Sequence, residues 1–303
     1  MVLHMTGRNK ILFFIMIFLW GSNWSAMKVA LSIAPVFAYN YQRFCVTFLF
    51  LLLSGVILKV KVPKDKNVYK KVLIYAAFST LGFAFTSIGL VSQSSGVGSV
   101  LTYTQPIWVF MLAVPFLSET FSLHKLIGIL LGILGISILF LKDVGSIMSL
   151  SATVLVLGAF LWAVATVYYK LKLQNVDPVF VNTGHMAFAT ITLFLLSYFI
   201  EPTFTSWSWQ YTSIVIYSGF GASGIGMTIW LILLKTEDAT SLSSAGLIVP
   251  IIALFFGWVL INEDLGIKSV AGSALVLIGI YLVNHKLKQK GEVSNKKNLL
   301  ASL

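Results

Sequence analysis

Apolar residues in this chain run in long blocks, not in the short alternation of a half-buried strand, and each block can supply about 20 residues of helix across a hydrocarbon core of about 30 Å. Breakers and charged residues divide the chain into ten predicted spans at 11–30, 36–58, 72–92, 97–117, 122–141, 149–169, 179–200, 211–234, 240–261 and 266–284. The pattern predicts an all-α integral membrane protein. The first block follows Arg8 and Lys10 as a signal peptide would, but its apolar region is too long and no small-x-small cleavage site follows, so it is read as a retained helix.

Composition agrees. Of 303 residues, 58% are hydrophobic and 10% charged, where a soluble domain carries about 25% charged residues; a water-soluble enzyme is excluded. The net charge of +11 would suit nucleic acid, but no soluble segment is large enough to present a basic face, so no nucleic-acid partner is expected. The charge reads instead as topology. With the N-terminus inside, alternate loops and the tail hold 17 Lys and Arg on the cytoplasmic side against 3 (Lys28, Lys142, Lys268) on the other, with Arg43 inside a span. That bias predicts a multi-pass protein of the plasma or inner membrane with both termini cytoplasmic. Cys45 is the single cysteine, so there is neither a disulfide framework nor a cysteine metal site. Residues 1–10 form a short cytoplasmic N-terminus and 286–303 a basic cytoplasmic tail. Nothing in the sequence sets an oligomeric state.

The chain also repeats itself. Pro106, Glu119, Gly128 and Gly135 fall at intervals that Pro250, Glu263, Gly272 and Gly279 copy without a gap. Phe18-Leu19-Trp20 recurs as Phe160-Leu161-Trp162, Lys28 as Lys170, and Tyr75, Phe78, Gly82 and Thr86 as Tyr217, Phe220, Gly224 and Thr228. The two units are 11–142 and 149–285, each with five predicted spans. An odd number of spans makes the second unit enter the membrane in the opposite sense, and inverted repeats are the mark of alternating-access transporters with a midplane site between halves.

These residues resemble a known family. Trp20-Gly21-Ser22-Asn23, Arg43 and the doubled Pro-Glu-Gly-Gly block make the chain similar to the drug/metabolite transporter superfamily, in the form with two EamA domains. The resemblance covers about residues 11–285. It implies ten transmembrane helices as two inverted five-helix repeats, no cofactor, and transport, commonly export, of amino acids or other small metabolites.

Candidate site residues follow from chemistry and position. Arg43 lies about eight residues into the second span, where a charge is costly and suggests a carboxylate or phosphate hook. Lys28, near the outer end of the first span, could face the same vestibule, or could satisfy helix-end carbonyls. Trp20, Trp24 and Lys28 share one helix face beside Asn23, and Trp162, Thr166 and Lys170 copy the spacing. Rings beside amides and hydroxyls suit a small amphipathic solute. Thr102, Tyr103 and Gln105 precede Pro106, and a serine cluster precedes Pro250; both prolines are expected to kink their helices as hinges. Glu119 and Glu263 are expected to hold the N-terminal end of the following helix, with gating as the alternative. His185 is the repeat counterpart of Arg43 and a candidate for proton coupling, or a neutral interhelical hydrogen-bonder. Tyr217 completes the predicted midplane lining of Trp20, Asn23, Arg43, Thr102, Tyr103 and Trp162.

All ten acidic residues fall in loops or at span ends, which argues against proton-driven cation antiport of the small-multidrug kind. No histidine pair has metal-ligand spacing and no Ser, His and Asp constellation is visible in the spans, so neither a metal nor an enzyme is expected. The expected partners are the lipid bilayer and a small metabolite. An antiporter of phosphorylated or nucleotide-type metabolites ranks second, since it would call for more embedded cations; a lipid flippase or membrane enzyme ranks third.

Overall fold

The structure, a computed structural model, describes residues 5–92, 101–139, 150–201, 205–261 and 267–284. Among these residues all regular structure is helical: α1 (Gly7–Ile33), α2 (Val36–Ile57), α3 (Lys66–Ser92), α4 (Gln105–Leu117), α5 (Leu123–Leu139), α6 (Leu150–Lys172), α7 (Pro178–Ile200), α8 (Trp209–Tyr217), α9 (Met227–Thr236), α10 (Ala239–Ala245), α11 (Val249–Ile261) and α12 (Ile267–Asn284). A π-helical stretch, Ser218–Gly226, joins α8 to α9 into one continuous rod, and a 3-10 turn, Gly246–Ile248, joins α10 to α11. Among the described residues, six helices are long and apolar enough to cross a membrane: α1, α2, α3, α6, α7 and the rod Trp209–Thr236. The apolar helices over 105–117, 123–138, 239–253 and 271–283 are shorter.

Many outward side chains, including Phe14, Leu53, Val56, Phe199 and Ile216, are both large and exposed, as a surface solvated by lipid tails requires. Polar groups collect inside instead: Asn40, Arg43, Thr47, Asn182, His185 and Ser218 are all buried.

Helix pairing has a two-fold character. The α3–α6 contact has its counterpart in α1 against the π stretch, α4–α6 in α1–α11, and α3–α7 in α2 against the π stretch, while α2–α7 and α5–α12 pair directly. In α5–α12, a Cβ on Gly128 would lie 2.7 Å from the Gly279 carbonyl oxygen, and one on Gly135 would lie 2.6 Å from that of Gly272. As numbers rise on one helix they fall on the other, so the pair is antiparallel, and glycine lets the backbones touch. Gly82 and Gly158 make a similar approach between α3 and α6.

The two prolines behave differently. Pro106 stands in the first turn of α4, where its missing amide proton would have no partner anyway and its φ suits the helix, so it does not kink α4 from within. Pro250 lies within the helical run 239–253, and that run tightens into the 3-10 turn Gly246–Ile248 just before it. α4 also carries Pro115 in its interior.

Candidate functional site

A cavity of about 90 Å³ lies where α1, α2, α3, α6 and the π stretch meet, with Thr102 and Tyr103 at its side. Six residues expected to line a midplane site are in its wall: Trp20, Asn23, Arg43, Thr102, Tyr103 and Trp162. At one end Trp20, Trp162 and Trp230 pack ring against ring, with centroids 5.6 to 5.9 Å apart. The cavity runs from there toward Met27 and Ser87, near the C-terminal ends of α1 and α3.

The π stretch fixes this wall. Widening the helix frees backbone carbonyls that a bilayer cannot satisfy, so side chains must. Thr47 donates to the Gly219 carbonyl at 2.7 Å, Trp20 Nε1 to that of Ala222 at 3.1 Å, and Asn182 Nδ2 to that of Ser223 at 3.1 Å. Three helices are thereby tied to one turn. A Cβ on Gly219 would sit 2.6 Å from the Arg43 carbonyl, so glycine there lets α2 seat Arg43 against the π stretch.

Arg43 is 3% exposed, and its guanidinium lies over the rings of Phe44 (4.6 Å), Tyr39 (5.2 Å) and Phe83 (5.7 Å). Its Nε has no hydrogen-bond partner. Cation–π contacts replace only part of a lost hydration shell, leaving the charge in want of an anion. Asn23 Oδ1, Thr102 Oγ1 and Trp162 Nε1 are likewise buried without partners. Buried polar atoms are rarely left unsatisfied, so these groups are available to bond to whatever occupies the cavity, water included.

Other expected site residues have different partners. Lys28 Nζ donates to the Leu90 carbonyl at 3.3 Å, and Lys170 Nζ donates to the carbonyls of Leu234 (3.1 Å) and Glu237. Each repeat lysine thus caps the C-terminal end of the neighbouring rod, where free carbonyls and the helix dipole favour a cation. Lys28 is therefore a cap, outside the cavity wall. Glu119 accepts the Ala239 amide at 2.8 Å, so it holds the start of α10 in the other half, not that of the following helix α5. Glu263 lies outside the described residues. His185 is fully buried among Tyr75, Phe83 and Phe44, with neither ring nitrogen bonded, and does not reach the cavity wall. Thr166 bonds its own helix at Trp162, Gln105 reaches Ser243 at 3.5 Å, and Tyr217 shares a 2.5 Å hydrogen bond with Ser22; none of the three lines the cavity.

The sequence reading missed the α3 wall: Ser79, Phe83 and Ser87, with Gly82 and Thr86. A signal existed, since both sets recur every four residues and so share one helix face.

On the opposite side of the tryptophan cluster the bundle is tied shut. Asn9 Nδ2 donates to Thr236 Oγ1 (3.1 Å) and Glu237 Oε1 (3.2 Å), beside the Lys170 and Glu119 contacts. A mostly apolar cavity that carries a few unsatisfied polar atoms, set within apolar helices, fits a membrane transporter. The chain belongs to the EamA-like transporter family, whose model matches residues 9–141 and 149–285, within the drug/metabolite transporter superfamily. It is 29% identical over 269 residues to the uncharacterized transporter YoaV of Bacillus subtilis, covering 87% of this chain and 92% of that protein. It is 25% identical over 289 residues to a probable amino-acid metabolite efflux pump of Salmonella typhimurium, covering 92% and 95%. A solved crystal structure superposes with a TM-score of 0.79 at 17% identity, covering 92% of this chain and 97% of that one, which speaks to the fold alone.

Proposed function

We propose that the chain is an alternating-access exporter of amino acids or related small metabolites, built from two inverted five-helix repeats, 11–142 and 149–285, that together span the plasma or inner membrane ten times with both termini cytoplasmic. The observation that carries this reading is the orphaned set around the cavity. Arg43 offers a buried cation with no carboxylate partner among the described residues, Asn23, Thr102 and Trp162 offer partners for the remaining polar groups, and Trp20 and Trp162 offer faces for an apolar side chain. The two-fold pairing of helices and the antiparallel α5–α12 crossing support the inverted repeat, and the efflux-pump name of the Salmonella relative favours amino-acid metabolites. In this conformation the cavity lies on the side assigned to the outside, and the Asn9, Glu119, Lys170 and Glu237 ties close the cytoplasmic side.

The test compares intracellular and extracellular metabolites in cells lacking the gene and cells overexpressing it. An amino acid or its derivative should accumulate inside the deletion strain and outside the overexpressing one. A shift confined to phosphorylated metabolites would transfer the assignment to the antiporter reading.

A further inference from the structure

A second cavity, a cleft of about 820 Å³, lies far from the first. It gathers the C-terminal ends of α2, α6 and α9 and the N-terminal ends of α3 and α7, so it sits at one end of the bundle. Its wall carries Lys59, Lys61, Lys71, Lys172 and Lys235 against one carboxylate, Asp177. Asp177 is already engaged, since it accepts the Val179 amide at 2.8 Å as the cap of α7. No ion pair joins these five lysines to a carboxylate among the described residues. Five lysines against one carboxylate leave an excess of like charge that repels itself, and an anion bound among them relieves that repulsion.

The margin of the cleft says what kind of anion. Val56, Ile57, Leu58 and Val62 are large, apolar and exposed, and they adjoin or interleave Lys59 and Lys61. The end of α2 closes as a Schellman turn, with the Val60 amide donating to the Gly55 carbonyl (2.9 Å) and the Lys59 amide to that of Val56 (3.2 Å). Lys59 holds the left-handed position of that turn at φ 50°, where glycine is the usual residue, so a basic side chain stands where none is needed for the turn itself. An apolar rim beside a basic floor at the end of membrane-crossing helices matches an amphiphile whose tails stay in the bilayer while its headgroup turns inward.

We propose that this cleft binds the phosphodiester headgroup of an anionic phospholipid, with Lys61, Lys71 and Lys172 holding the phosphate and the exposed residues of α2 meeting the acyl chains. The test uses the purified full-length chain in a neutral detergent and three probes: dioctanoyl-phosphatidylglycerol, dioctanoyl-phosphatidylcholine and glycerol 3-phosphate. Phosphatidylglycerol should bind at least 10-fold more tightly than phosphatidylcholine. The triple variant K61Q/K71Q/K172Q should lose that preference, whereas K61R/K71R/K172R should keep it. A tail triple, K286Q/K288Q/K290Q, removes the same charge elsewhere and should stay within two-fold of wild type. If the glutamine triple does not purify folded, the double K61Q/K172Q, at two exposed sites, carries the same comparison. Equal binding of the two lipids, or an equal loss in the tail triple, would overturn the proposal. Competition by glycerol 3-phosphate at the same concentration as the lipid would overturn it too, because the site would then serve a soluble phosphate.

Discussion

Replacing Arg43 by Gln removes the one buried cation in the cavity wall while leaving a shorter, neutral polar side chain. A carboxylate about 4 Å from the guanidinium, at an effective dielectric near 20, gains about 4 kcal/mol. Desolvating both ions offsets part of this gain, and truncating one partner of a buried charge pair costs about 2 to 5 kcal/mol when measured by mutation. The lower figure is already about 30-fold in affinity. Protein stability should respond differently. The guanidinium loses three ring contacts worth about 0.5 to 2 kcal/mol together at such a site, but the cost of keeping its charge out of water disappears with it, so the two effects nearly offset. The assay measures binding of amino acids and of their carboxamides to reconstituted wild type and Arg43→Gln, with the unfolding midpoint taken in parallel. Carboxylates should lose at least 30-fold and carboxamides little, with the midpoint nearly unchanged. Equal losses for both in a folded variant would show that Arg43 only shapes the wall.

Trp162→Phe removes an indole N–H that is buried without a hydrogen-bond partner. The unfolding midpoint should hold or rise while solute affinity falls by about 1 kcal/mol, the net worth of a neutral hydrogen bond; a lower midpoint with unchanged affinity would make the indole structural. Gly135→Ala forces a Cβ to 2.6 Å from the Gly272 carbonyl and should cost about 1 to 3 kcal/mol in thermal unfolding. Gly55→Ala meets nothing within 4 Å and should be neutral or stabilising by up to about 1 kcal/mol. For orientation, Trp209→Cys but not Lys61→Cys, each in a Cys45→Ala background, should react with an impermeant thiol reagent added to intact cells; labelling of both would end the proposed topology.

Much of this architecture can be read from side chains alone, because a bilayer admits apolar helices and little else. Block length marked the six long apolar helices, and side-chain identity picked out Trp20, Asn23, Arg43, Thr102, Tyr103 and Trp162, which share one cavity. What stayed hidden involves backbone groups or distant elements. The matched lysines Lys28 and Lys170 were visible as a repeat, but their partners are the carbonyls of Leu90 and Leu234, which leave no trace in a side-chain pattern. Glu119 finds an amide 120 residues away, in the other half of the chain. His185 looked like a mate for Arg43 by its repeat position, yet Tyr75, Phe83 and Phe44 arrive from other helices to enclose it. The glycines of Ser218–Gly226 were plain, whereas the wide turn they adopt depends on bonds from Thr47, Trp20 and Asn182.

The α5–α12 seam constrains which second-site suppressors can exist. At Gly132 an added methyl would meet the Leu247 side chain at 2.6 Å, so a smaller residue at 247 can give way and rescue the variant. At Gly135 the first obstacles are the Gly272 carbonyl oxygen and the Val276 amide nitrogen, at 2.6 and 2.8 Å. Every residue carries those atoms, and no substitution on the facing helix shortens them. A genetic screen begun from Gly132→Ala should therefore return changes at 247, while one begun from Gly135→Ala should return only reversion to glycine or changes that move a whole helix.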